Sequence, residues 1–300
     1  MPVAARRSEL LRRQLDRFRK TIAGVDSGDV RALHRARVAS RRLRELAPLL
    51  QLASRDAQKL ERRLRKVTSR LGSVRELDVL LLLIDDLASA RPAHREALRR
   101  LRALVDAERG AARKNLKARL PGSDMWRVAG KLERIADTVD APRAARTGRP
   151  HQGGWRWAVD ARVTHRAARV TTAMADAGAV YLPERLHTAR IALKKLRYAA
   201  EFAAAIDGRA VTPDLRALKR AQDLLGRMHD LQVLIDRARQ LQASLAPPTL
   251  TAWRDLDALV ASLEDDCRRL HARYVRSRTA LAGVAERLGA TSPAGRRRAG

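Results

Sequence analysis

The sequence predicts an all-α protein made of two similar helical halves. Three observations carry this prediction. The chain is 45% hydrophobic and only 3% aromatic, and its commonest residues (Leu, Ala and Arg) form helices and fill a core with aliphatic side chains. Apolar residues recur at helical spacing almost throughout, and no stretch alternates Val, Ile, Thr and Tyr for long enough to suggest a sheet. Two separated motifs also occur twice at nearly one offset: His187 follows His34 by 153 residues, and Gly226 follows Gly72 by 154.

The elements follow from that periodicity and its punctuation. A first helix is predicted over residues 4–23, closed by Gly24. Residues 29–52 follow Ser27-Gly28, and Pro48 kinks or stops that helix because its ring clashes with the preceding turn and its nitrogen carries no proton. Helices over 56–71 and 75–89 are separated at Gly72. Those over 93–120 and 124–139 are separated at Pro121-Gly122. The second set covers 155–177, 183–206, 213–226, 229–245 and 249–288, with Gly208, Pro213, Gly226 and Pro247-Pro248 at the breaks. Ala141 to Gly154 is rich in Pro, Gly and Arg and reads as a linker. We therefore place a first half at 1–145, a linker at 146–154, a second half at 155–288 and a disordered tail at 289–300. Val79 to Leu87 reads as core, and Trp155 and Trp157 as anchors at the start of the second half.

Charge narrows the function. Lys plus Arg total 63 against 33 Asp plus Glu, a formal net charge of +30. Such a surplus repels itself in a compact state and attracts polyanions: nucleic acid, an anionic membrane or another charged polymer. Cys267 is the single cysteine, so no disulfide forms within the chain, which suits a reducing compartment. The opening MPVAARRSELLRRQL has no apolar h-region, and Val79 to Ile84 is too short to cross a bilayer. The expectation is a cytoplasmic protein.

The repeated motifs place the charge. His34-Arg-Ala-Arg-Val-Ala-Ser-Arg-Arg-Leu-Arg44 matches His187-Thr-Ala-Arg-Ile-Ala-Leu-Lys-Lys-Leu-Arg197, and Leu71-Gly-Ser-Val-Arg-Glu-Leu-Asp-Val-Leu80 matches Leu225-Gly-Arg-Met-His-Asp-Leu-Gln-Val-Leu234. On a helix, His34, Arg37, Arg41 and Arg44 fall at i, i+3, i+7 and i+10 and form one stripe, while Ala39, Leu43, Leu46, Ala47 and Leu50 face the other way. The second copy repeats the stripe with His187, Arg190, Lys194 and Arg197, and Arg42 and Lys195 lie at its border. The next helix carries Arg62 and Lys66 on a basic face, with Arg216 and Arg220 as their counterparts. Like charges at i,i+4 cost an isolated helix about 0.2–0.5 kcal/mol per pair, so such faces need water, salt or a bound anion to screen them. Arginine suits phosphate because its planar fork donates two parallel hydrogen bonds. Histidine adds a donor and gains charge beside a polyanion.

Other readings of these residues stay open. A single basic stripe is commonly a solvated helix face. His34 and His187 lack a second ligand at i+3 or i+4 of the kind a helical zinc site needs, and each also fits a structural place near its helix start. Glu76 and Asp230, after the glycines, read as acids in a first helical turn or as partners that fix an arginine rotamer; metal binding through Glu76, Asp78 and Asp230 is the weaker alternative. No phosphate-binding loop, dinucleotide fingerprint, nucleophile elbow or metalloprotease motif occurs.

At these motifs the chain resembles the CHAD domain, the conserved histidine α-helical domain, over roughly Arg6 to Leu288. The match rests on LHRARVASRRLREL from Leu33, LHTARIALKKLRYAAEF from Leu186, and the two LG motifs. The resemblance implies two helical-bundle halves related by internal duplication and pseudo-twofold symmetry, with basic faces lining a central groove or pore. It implies binding of inorganic polyphosphate, association with polyphosphate granules, no catalysis and no cofactor. It assigns the contacts to His34, Arg37, Arg41, Arg42, Arg44, His187, Arg190, Lys194, Lys195 and Arg197; the helix reading adds Arg62, Lys66, Arg216 and Arg220. Neither strands nor the E-x-E-x-K signature of an attached triphosphate tunnel domain appears, so the reading is a stand-alone binding domain. The competing function is a non-specific nucleic-acid-binding protein, which the scarcity of aromatics disfavours.

Overall fold

The structure, a computed structural model, describes residues 7–139, 154–207, 212–245 and 250–290. Among these, every regular element is helical. The first set is α1 (Arg7–Arg19), a short α2 (Ile22–Asp26), α3 (Val30–Leu46), α4 (Ser54–Ala90), α5 (Arg95–Arg119) and α6 (Gly122–Thr138). The second is α7 (Gly154–Ala177), α8 (Pro183–Ile206), α9 (Pro213–Ser244) and α10 (Leu250–Ala290). The expected linker and tail lie almost wholly outside the described residues.

Local chemistry explains most boundaries. Asp29 caps α3, its carboxylate accepting from the backbone N–H groups of Arg31 and Ala32. The chain reaches Asp29 through Gly28, whose φ of 84° favours glycine. Pro48 stops α3 at Leu46 and sits in a 3-10 turn, Ala47–Leu50. Thr212 caps α9 ahead of Pro213, which takes a first-turn position where its missing N–H costs nothing.

Three expectations need correction. The single helix predicted over 4–23 is two, because the chain turns at Lys20-Thr21 and Gly24 lies inside α2. Gly72 and Gly226 are not breaks: α4 runs 37 residues through Gly72, and α9 runs 32 through Gly226. Of the two expected tryptophan anchors, Trp155 packs against the first core but Trp157 is 52% exposed.

Apolar burial falls into three clusters. One is built from α1, α3, the first part of α4 and α6, around Phe18, Leu43, Leu64 and Leu132. A second is built from α7, α8, the first part of α9 and the last part of α10, around Val170, Leu193, Leu225 and Tyr274. The third joins the ends of α4 and α9 to α5 and the start of α10, through Ile84, Leu101, Leu234 and Leu259. At 1.5 Å per residue α4 is about 55 Å long, enough to serve two clusters in turn. The helices carrying the repeated motifs thus hold matching places: α3 and α4 in one cluster, α8 and α9 in another, and the tails of α4 and α9 in the shared third.

Candidate functional site

The two basic stripes come together. α3 buries Leu33, Ala36, Ala39 and Leu43, and α8 buries Leu186, Ala189, Leu193 and Leu196. That turns both stripes away from their cores, and α3 packs on α8. The Arg190 charge acts on Arg37 and Arg41, and Lys194 feels Arg41, Arg190 and Arg37. Four cationic groups from two helices therefore share one half-buried space. Burial, followed by this mutual repulsion, pushes the Lys194 ammonium down to about 7 and the Arg41 guanidinium to about 10.

The repeated glycines are seats for two of these arginines. A Cβ built on Gly72 would stand 3.6 Å from Arg37 Nε, and one on Gly226 would stand 3.5 Å from Arg190 Nε. Both Nε atoms are buried without a hydrogen-bond partner. A methyl group would just reach contact, and any longer side chain would displace the guanidinium. The motif Leu-Gly therefore lets an arginine from the neighbouring helix lie against α4 or α9.

Glu76 and Asp230 sit mid-helix, so they offset no helix dipole. Glu76 instead pairs with Arg37: Arg37 donates to Glu76 Oε1 at 2.9 Å, and its side chain is 17% exposed. Asp230 holds the matching place beside Arg190. Burial raises its pKa against the pull of Arg190, Arg227 and Arg75.

At one end of the two stripes the histidines differ in company. His34 lies near Arg75; burial, then that charge, lowers its pKa. His187 meets His229 instead, with Nδ1 atoms 3.1 Å apart and ring centroids 4.3 Å apart. One ring must donate while the other accepts, which requires a neutral acceptor. Burial first, then His187, Arg190 and Lys194, pushes His229 down to about 4.

At the other end of the stripes, two acids within the motif segments, Glu201 and Glu45, hold arginines of neighbouring helices. Arg42 of α3 donates to Glu201 of α8 at 2.7 Å, and Arg197 donates to the same carboxylate and to Gln222 at 3.0 Å. Both guanidinium groups lie over the Tyr198 ring, 5.7 Å and 4.8 Å from its centroid. Buried Glu45 accepts from Arg162 and Arg166 of α7, each at 2.8 Å. Charges on Arg166, Glu45 and Arg44 surround Lys195. Sequence reasoning missed Glu201, Glu45, Tyr198, Arg162 and Arg166; only the i,i+4 spacing of Arg197 and Glu201 offered a local signal.

The flanking residues are less involved. Arg62, Lys66, Arg216 and Arg220 are all exposed, and the α4 residues whose charges reach Arg44 are Arg65 and Glu61. Among the described residues no group of three or more His, Cys, Asp or Glu is placed to hold a metal ion. No described helix is long and apolar enough to cross a membrane. Chemically, the central cluster offers hydrogen-bond donors with little carboxylate to satisfy them, an arrangement suited to holding an oxyanion.

Comparison with known proteins follows the same lines. The family model of the CHAD domain matches residues 9–239. The crystal structure of the CHAD domain from the plant Ricinus communis superposes with a TM-score of 0.64 at 22% identity, covering 95% of this chain and 93% of that one. PptA from Streptomyces chartreusis superposes with a TM-score of 0.63 at 18% identity, covering 90% of this chain and 97% of that one. At these identities the likeness is one of fold. No curated protein matches the chain.

Proposed function

The chain belongs to the CHAD domain family, and from that premise we propose that it binds inorganic polyphosphate in the groove between α3 and α8. The observation that carries the reading is the convergence of Arg37, Arg41, Arg190 and Lys194, of which, among the described residues, Arg37 alone donates to a carboxylate. Half-buried like charges cost free energy in the empty protein, and a flexible anionic chain would relieve that cost along its length. The donors are arranged in two rows, which fits a linear ligand with many equivalent oxygens. Binding requires no bond to break, so the reading is a binding protein rather than an enzyme. A chain-binding groove would also allow residence on polyphosphate granules.

Nucleic acid would share the charge attraction but not the rest. Recognition of single strands draws on exposed aromatic faces, and the ring in this groove, Tyr198, is buried beneath Arg42 and Arg197. The test is competition at physiological salt. Long-chain polyphosphate should displace DNA and RNA of equal total charge from the full chain. Equal or reversed preference would favour the nucleic-acid reading.

A further inference from the structure

We propose that the cleft between α9 and α10 is a second phosphate-chain site, continuous with the groove, which holds the part of a long chain that runs beyond the central cluster. The proposal rests on the polyphosphate reading and adds a location to it. The cleft encloses about 410 Å³ and is lined by Arg91, Arg227, Arg269 and Arg273 over Leu231 and Leu270. Its one carboxylate, Asp266, is already shared between Arg91 and Arg269, and Arg91 also donates to Ser262 Oγ at 2.7 Å. Those contacts hold two guanidinium groups in place and leave Arg227 and Arg273 without a lining acid. Four cations against one anion give a surplus of three charges beside an apolar floor, with Arg227, Arg269 and Arg273 exposed at the rim where an anion can reach them.

The cleft connects to the groove through one residue. Arg227 stands about one turn before Asp230 and Leu231 on α9. Leu231 lines the cleft, and the Arg227 charge acts on Asp230, which also feels Arg190. Arg190 and Arg227 thus both bear on Asp230, and Arg227 shares the cleft with Arg273. The motif alignment places Ser73 opposite Arg227 in the first half, so the extension leaves the groove on one side only. A larger cavity of about 820 Å³ lies beside Leu50 to Ala53 and α6, but no groove residue lines it and its Lys131 faces Asp56 at 4.0 Å.

Chain length separates the two sites. The full chain and its Arg227→Gln/Arg273→Gln and Arg227→Glu/Arg273→Glu variants would be titrated with tripolyphosphate and with long-chain polyphosphate. Circular dichroism melting would check the fold. Long-chain affinity should fall about 10-fold with the glutamate pair and by a smaller factor with the glutamine pair, because one of two linked contacts is lost. Tripolyphosphate affinity should stay within about twofold, since the central cluster is intact. Unchanged long-chain affinity, or equal loss at both lengths, would overturn the second site while leaving the groove in place. If the unaltered protein bound neither length, the polyphosphate reading and this extension of it would fall together.

Discussion

The two halves present one scaffold with different chemistry on it. In the first, Arg37 is held by Glu76, Arg41 carries a charge that ordinary pH does not remove, and His34 keeps company with Arg75. In the second, the matching places hold Arg190 beside Asp230, Lys194, and a His187–His229 pair. Geometry has been kept where the arginines must lie, including both glycine seats. Titratable groups gather in the second half, where burial and neighbouring cations depress Lys194 and His229 toward or below neutrality. The contrast separates a half whose central charges are mostly fixed from a half richer in groups that titrate at or below neutrality.

The comparison can be broken first at its centre. Reversing Arg41 and Lys194 to Glu should weaken polyphosphate binding by about a hundredfold or more, since like charges at a contact cost several kcal/mol. Reversing Arg62 and Lys66 should cost less than tenfold. Isothermal titration of both double variants measures the gap, and equal losses would show that the flank holds the ligand.

The next effect is on pH. Lys194 is depressed to about 7 from an ordinary 10.5 in the free protein, and a bound polyanion raises it again. Between those values binding takes up a proton, so affinity rises as pH falls and its logarithm changes by up to about one per pH unit. The same shift makes the free protein gain stability as pH rises from about 7 toward 10.5, because its unfolded state binds the extra proton. Calorimetry in buffers of different ionisation enthalpy would report the uptake. Lys194→Arg should remove it while keeping affinity; an undiminished signal would assign it elsewhere.

A smaller effect converts one half toward the other. His229→Arg places the residue found at Arg75 into the second half, and should tighten binding about 3-fold at neutral pH by adding a permanent charge. It should also flatten the pH response on the acid side, because burial and neighbouring cations hold His229 down to about 4 and an arginine there keeps its charge throughout. Smallest is Gly72→Ala. The new methyl meets Arg37 at ordinary contact distance, so affinity should stay within about twofold while helix propensity adds about 0.5–1 kcal/mol, read as a raised Tm.

Most of the helices were legible because aliphatic periodicity dictates them over long stretches. The stripes were legible because each lies on one helix. The glycines were misread for an instructive reason: glycine in a helical pattern usually marks an end, and here an arginine from another helix occupies the space a side chain would take. Glu201 and Glu45 lie within the motif segments, but nothing in the segments themselves names their partners on other helices. Arg42 lies 159 residues from Glu201, and Arg162 lies 117 from Glu45, so only the fold brings those partners together. Trp155 and Trp157 cannot both anchor one core, because residues two apart on a helix point in different directions.

Glu201 stitches α3 to α8 with one carboxylate and two arginines. Replacing it with Gln would loosen that seam and leave Arg42 and Arg197 without their shared carboxylate, though Arg197 keeps Gln222 and both keep the Tyr198 ring. The fold would weaken while the basic stripes gained cationic charge that no carboxylate offsets. At this joint, firmness and grip are set against each other by a single carboxylate.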